Sequence, residues 1–232
     1  MSDKSYWLSI WCEPRATIRK IVSENPNRSI WILAFIYGFL SLLNSIQSIS
    51  IANVAQLIPI FAIVLILSPF WGYAAFSIWS WVICLVGKWL KGQANFVSVR
   101  AAFSWSCVPL ILNIFLWILM IGVFGPAFFF NTGEIYPISN QQSAILFLIL
   151  IAKVVIAIWS LVIYLNALAE VQRFSILRAI FNVVISWIVI GLVLGALWFG
   201  LMYVLQMGSD ASKLSFQFWQ SETRLEFLRA IL

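Results

Sequence analysis

Histidine does not occur once in the 232 residues. That absence removes the commonest metal ligand, the usual proton shuttle and every Ser-His or Cys-His nucleophile pair. Charge is scarce as well: Asp, Glu, Lys and Arg make up 9% of the chain, where about 25% is usual for a soluble protein. Cysteine is limited to Cys12, Cys84 and Cys107, none spaced as C-x-x-C, which supports neither a disulfide framework nor a zinc site. No carboxylate pair, glycine-rich phosphate loop or nucleophile-base pair is found, so the chain is read as not an enzyme and as needing no cofactor or metal. The beginning of the chain lacks the apolar run and A-x-A site of a cleaved signal peptide, so the first span is expected to drive its own insertion.

What the chain has instead is apolar bulk: 63% hydrophobic residues and a mean hydropathy of +1.00. So few polar residues cannot coat a core in water, and the expected solvent is lipid. About 20 apolar residues cross a hydrocarbon core of about 30 Å as a helix, the only open-chain structure that satisfies its own backbone there. Five segments qualify, near 29–51, 57–85, 108–130, 144–166 and 179–205. The expected fold is all-α: a polytopic integral membrane protein of five transmembrane helices with short amphipathic helices at both ends. The expected division is a leader (1–28), a membrane domain (29–205) and an extracytoplasmic tail (206–232). Pro69 should kink the second span, and Gly125-Pro126 can end the third early. No internal repeat is visible.

The net charge is +6. In a chain without a solvated basic domain this does not point to nucleic acid, and none is expected as a partner. Basic residues instead orient spans and meet lipid head groups, so membrane lipids, anionic ones included, are expected partners. The leader carries Lys4, Arg15, Arg19, Lys20 and Arg28. The second-to-third connection carries Lys88, Lys91 and Arg100, and the fourth-to-fifth Arg173 and Arg178, while ANVAQ and NTGEIYPISNQQ carry none. The positive-inside rule then places the leader in the cytoplasm and the far end outside. After Pro14, Ile18, Ile21 and Val22 share a face clear of Arg15, Arg19 and Lys20, a pattern that predicts a helix lying on the cytoplasmic leaflet. In the tail, Leu214, Phe218, Leu225, Leu228 and Leu232 form a comparable stripe.

Within the spans one residue stands out. Lys153 interrupts LFLILIAKVVIAIW about 3 Å from its span's midpoint, where a lysine costs about 2.5 to 3.5 kcal/mol on the insertion scale. No Asp or Glu lies inside any span. Asn44, Asn113 or Asn182 are available as polar neighbours, and Lys153, with Asn113 and Asn166, is a candidate contact for a lipid anion, a substrate or a partner subunit; the alternative is a lysine tolerated in a hydrated crevice. Gly191 and Gly195 form G-x-x-x-G, a spacing that lets helices approach, in the same chain or across a dimer. The connections GQANFVSVRAAFSWSCVPL and NALAEVQRFSILRAIF face one side and can form a joint polar surface.

The opening IWCEPRATIRKIVSENPNRSIWIL places a tryptophan, Pro14, Thr17 and a second proline before the first span. Gly92 stands in the next cytoplasmic connection, Ala102, Phe103, Ser104, Trp105, Ser106 and Pro109 at the entry to the third span, and Ala167, Glu170, Ser175, Arg178 and Ala179 at the exit from the fourth. In order and spacing, these residues resemble the bacterial Yip1-domain family. The resemblance covers about residues 7 to 205 and implies five spans with a cytoplasmic N-terminus, in a bacterial inner membrane. The eukaryotic branch, which interacts with Rab GTPases, has a longer polar N-terminal region and an Asp-Leu-Tyr-Gly-Pro motif. Both are missing here, so a Rab partner is not expected. The expected function is a non-enzymatic membrane protein that organises protein partners, further copies of itself or lipids. The alternative is a small transporter, channel or lipid-moving protein with a polar path near Lys153.

Overall fold

The computed structural model describes residues 3–49, 57–125 and 139–231. The described chain is helical: α1 (Asp3–Cys12), α2 (Pro14–Glu24), α3 (Ile30–Ile49), α4 (Leu57–Trp89), α5 (Phe96–Ser106), a 3-10 turn (Val108–Ile111), α6 (Leu112–Phe124), α7 (Asn140–Gln172) and α8 (Ile176–Ile231). Five stretches are long and apolar enough to cross a membrane: Ile30–Ser48, Ile58–Trp89, Phe96–Phe124, Asn140–Gln172 and Ile176–Met207. The expected all-α, five-span class is therefore the observed one.

The chain divides into two units, Met1–Val184 and Ile185–Leu232. In the first, α3 and α4 form the closest helix pair, because small residues face each other across their crossing. A Cβ on Gly38 would enter the Ser68 carbonyl and lie 2.9 Å from the Gly72 nitrogen; one on Gly72 would meet the Ala34 backbone, its Cα at 2.9 Å. Ala34/Gly38 and Ser68/Gly72 are each a small-x-x-x-small pair, the spacing that brings two helix backbones together. Pro69 sits inside α4 beside this crossing, and the Ser68 hydroxyl donates back to the Val64 carbonyl. It gives the buried hydroxyl a partner on its own helix.

The third span starts earlier than expected, at Phe96 rather than near residue 108. Asn95 caps α5, its side chain accepting the Ser98 N–H at 2.8 Å. Pro109 then breaks the helix into a 3-10 turn. The Ser106 carbonyl, left without a helical donor by the break, accepts the Ser160 hydroxyl of α7 at 2.6 Å. The serines and Arg100 that looked like loop chemistry are buried: Ser98, Arg100, Ser104 and Ser106. Around them Phe103 is ringed by Tyr37, Phe76, Trp79 and Tyr164 at centroid distances of 5.3 to 6.1 Å, edge-on or tilted as aromatic quadrupoles prefer.

The leader forms two helices, not one. Ile18 and Ile21 are fully buried, and α2 packs on α5 and α7. The apolar stripe expected to lie in the leaflet is thus covered by protein. The reason is α1, whose Tyr6 and Ile10 join the same core beside Trp105. In the second unit α8 continues unbroken past residue 205 to Ile231, and Trp187, Leu192, Val193, Leu197 and Phe199 are exposed, as lipid-facing residues are. The expected tail stripe of Leu214, Phe218, Leu225, Leu228 and Leu232 lies outside the described side chains.

Candidate functional site

The lysine in the apolar run has an aromatic neighbour. Lys153 Nζ stands 4.8 Å from the ring centroid of Trp117 on α6. A ring face attracts an ammonium through its quadrupole, and more so where both are out of water. Asn113 lies one helical turn before Trp117, on the same face of α6, with its Oδ1 buried and without a hydrogen-bond partner. Asn166 does not join them: it is thirteen residues further along α7, about 20 Å at 1.5 Å per residue. Of the three expected contact residues, Lys153 and Asn113 therefore share one level of the membrane and Asn166 belongs to another.

Asn166 belongs to the end occupied by the leader. With 33 residues, α7 is about 50 Å long and overruns a 30 Å hydrocarbon core by about 10 Å at each end. Its last turns stand at head-group level, and three ties converge there. Arg15 Nε donates to Asn166 Oδ1 at 3.1 Å, while the Asn166 amide donates back to the Val162 carbonyl at 2.9 Å. Arg19 pairs with Glu170 at 2.7 Å, which holds the Arg19 guanidinium above its ordinary pKa, chiefly through that hydrogen bond. Gln172, 1% exposed, accepts the Ala94 N–H on Oε1 at 3.3 Å, and its carbonyl accepts the Gln93 N–H at the same distance.

Gly92 has its explanation here. A Cβ on it would occupy the space of Gln172 Oε1, and one on Gly87 that of Gln172 Nε2. A glycine in the last turn of α4 and one in the connection after it make room for the glutamine that ends α7. Arg173 ends α7 in the left-handed conformation, φ 55°, and Phe174 N–H returns to the Ala169 carbonyl at 2.8 Å.

Arg100, 8% exposed, fastens the leader to α4 and α5. Its Nη1 donates to the Tyr73 hydroxyl at 2.7 Å and its Nη2 to Asn27 Oδ1 at 2.9 Å, and its guanidinium lies over the Tyr73 and Phe96 rings. Tyr6, Glu24 and Arg28 close the leader on itself. Tyr6 donates to Glu24 at 2.7 Å and Arg28 to Glu24 at 2.8 Å. The Tyr6 hydrogen bond, before the nearby Arg28, holds Glu24 below the usual carboxylate range and raises Tyr6 in return.

The remaining expected residues fall into two groups. Pro14 occupies the first turn of α2, buried Thr17 donates to the Ser9 hydroxyl at 2.9 Å, and Glu170 and buried Pro109 stand as described. Exposed Arg178 receives its backbone hydrogen-bond acceptor from Ser175 at 3.4 Å. All are at or next to the leader end. Gly191 and Gly195 are elsewhere, and a Cβ on either would meet no atom within 4 Å. The sequence reading missed Ala34, Gly38, Ser68 and Gly72, although their spacing of four was visible, and it missed Gln172, which no motif marks.

Two crevices open at this end: one of about 460 Å³ between the α1–α2 corner and α7, and one of about 530 Å³ beside Trp81, Lys88 and Trp89. Among the described residues no group of three or more Cys, Asp or Glu could hold a metal ion. A family model described as Yip1 domain matches residues 8–211. No curated protein and no solved structure matches the chain.

Proposed function

The chain belongs to the Yip1 domain family, and from that premise we propose a non-enzymatic membrane protein that gathers protein partners or lipids on its leader-side face. One observation carries this reading. The leader, the α4–α5 connection with the start of α5, and the end of α7 are tied into one polar platform by Arg15–Asn166, Arg19–Glu170, Arg100–Asn27 and Gln172–Ala94. A platform built by side chains from distant parts of the sequence is a rigid display surface. In mid-span the charge of Lys153 stands over the indole of Trp117, a fixed contact that supports assembly over transport. The ten basic residues on this side, with none on the opposite connections, support a cytoplasmic platform. The lack of an Asp-Leu-Tyr-Gly-Pro motif in the sequence supports a bacterial inner membrane.

Photo-crosslinking in native membranes tests the reading, with a probe placed at exposed Arg178 on the platform or at exposed Ile151 in mid-span. Discrete protein or lipid adducts at Arg178 and none at Ile151 are expected. Equal labelling at both positions, or solute flux through reconstituted liposomes that is lost in Lys153→Leu, would replace assembly with transport.

A further inference from the structure

We propose that the crevice between the α1–α2 corner and α7 is a binding site for one zwitterionic aminophospholipid, with its phosphate on Arg15 and its ammonium on Glu13. The crevice, about 460 Å³, is lined by Trp11, Glu13, Arg15, Trp159, Val162 and Asn166 among others. Its polarity is graded along α7. Trp159 lies about 5 Å from the helix's middle residue, at acyl-chain depth, and Asn166 about 15 Å from it, at the edge of the hydrocarbon. A pocket that is apolar at acyl depth and charged at head-group depth fits an amphiphile in place in the leaflet, not a free phosphate.

The charged end is prepared. The Asn166 amide is fixed by the Val162 carbonyl and in turn holds Arg15 Nε. The outer edge of that guanidinium, its two Nη groups, has no partner among the described residues, and a planar fork of this kind matches a phosphate diester. Glu13, on the same lining, precedes α2 and makes no side-chain cap, and among the described residues its carboxylate has no hydrogen-bond or ion-pair partner. Two opposite charges, two residues apart, line one crevice without pairing. A ligand carrying both signs satisfies both, whereas a purely anionic head group leaves Glu13 facing like charge. Trp11 supplies an amphipathic ring suited to the interface, and Trp159 a broad apolar ring for the acyl chain.

This names a ligand class for one part of the platform and so rests on the preceding reading. The test is native mass spectrometry of the full-length chain in mild detergent. It is titrated with phosphatidylethanolamine, phosphatidylglycerol or phosphatidylcholine of one acyl composition, and separately with glycerophosphoethanolamine. The wild type should hold one phosphatidylethanolamine in preference to the other two lipids, and Arg15→Gln should weaken it at least tenfold. Glu13→Gln, which breaks no protein contact, should fold normally and lose the preference over phosphatidylglycerol. Equal retention by wild type and both variants overturns the site, as does a wild-type preference for phosphatidylglycerol. Equal uptake of glycerophosphoethanolamine overturns a lipid ligand in favour of a soluble one. If the site fails while adducts persist at Arg178, the platform stands and only its lipid is wrong.

Discussion

Replacing Gly72 with alanine adds one methyl group where α3 and α4 touch, and the added carbon would sit 2.6 Å from the Ala34 carbonyl carbon and 2.9 Å from its Cα. Carbon atoms rest at about 3.5 to 4.0 Å, so the helices must part by about 1 Å, which forfeits a quarter to a half of the dispersion energy of each atom pair at the crossing. Overpacking of this kind costs about 1 to 3 kcal/mol. It works against the gain of about 0.4 to 1 kcal/mol that alanine normally brings to a glycine position by restricting the unfolded chain. Gly191→Ala is the matched control, since a Cβ there meets nothing within 4 Å, and it should keep that gain. Unfolding both variants by sodium dodecyl sulfate titration in mixed micelles, followed by circular dichroism, should move the midpoints in opposite directions. A Gly72→Ala protein as stable as wild type would refute the close crossing.

Three further outcomes follow from the same contacts. Lys153→Leu should raise stability by about 0.5 to 3 kcal/mol, because a mid-membrane lysine costs about 2.5 to 3.5 kcal/mol and a ring face returns only about 0.5 to 2; a loss in the same unfolding assay would make the Trp117 contact stronger than that range. Gln172→Leu should destabilise by about 1 to 3 kcal/mol, since it strands the Ala94 N–H, and a neutral result would show that this amide has another partner. Glu24, held below its unfolded pKa, contributes stability above about pH 4.3 that is lost as pH falls through its lower folded value. Hydrogen exchange of the leader should accelerate below that pH in wild type, and Tyr6→Phe, which removes the largest cause of the depression, should shrink the step. An acid step unchanged in Tyr6→Phe would assign it to another carboxylate.

The spans were legible because hydropathy alone separates lipid-facing helix from connection, and four of the five lie where the apolar runs put them. The third did not, because Ser98, Arg100, Ser104 and Ser106 lower its hydropathy, and only Asn27 and Tyr73, far away in sequence, explain how Arg100 is buried. Close packing was only partly legible. Gly191 and Gly195 display the better-known spacing, whereas the crossing of α3 and α4 uses Ala34 with Gly38 and Ser68 with Gly72, where alanine and serine stand in for glycine. That the two connections share a face was readable from span parity. That Gln172 joins them was not, because a buried amide is recognised by the glycines that make space for it, and these lie about eighty residues earlier, at Gly87 and Gly92.

The account turns on whether α2 is docked against the end of α7. Arg19→Cys with Glu170→Cys, in a Cys12→Ser background that removes the exposed native thiol, places two thiols where the Arg19–Glu170 ion pair now spans 2.7 Å. A short bis-maleimide added to intact membranes should join them rapidly and leave Arg19→Cys with Ser48→Cys, at the far end of α3, unjoined. Absence of the first link, or equal yield from both pairs, would contradict the platform.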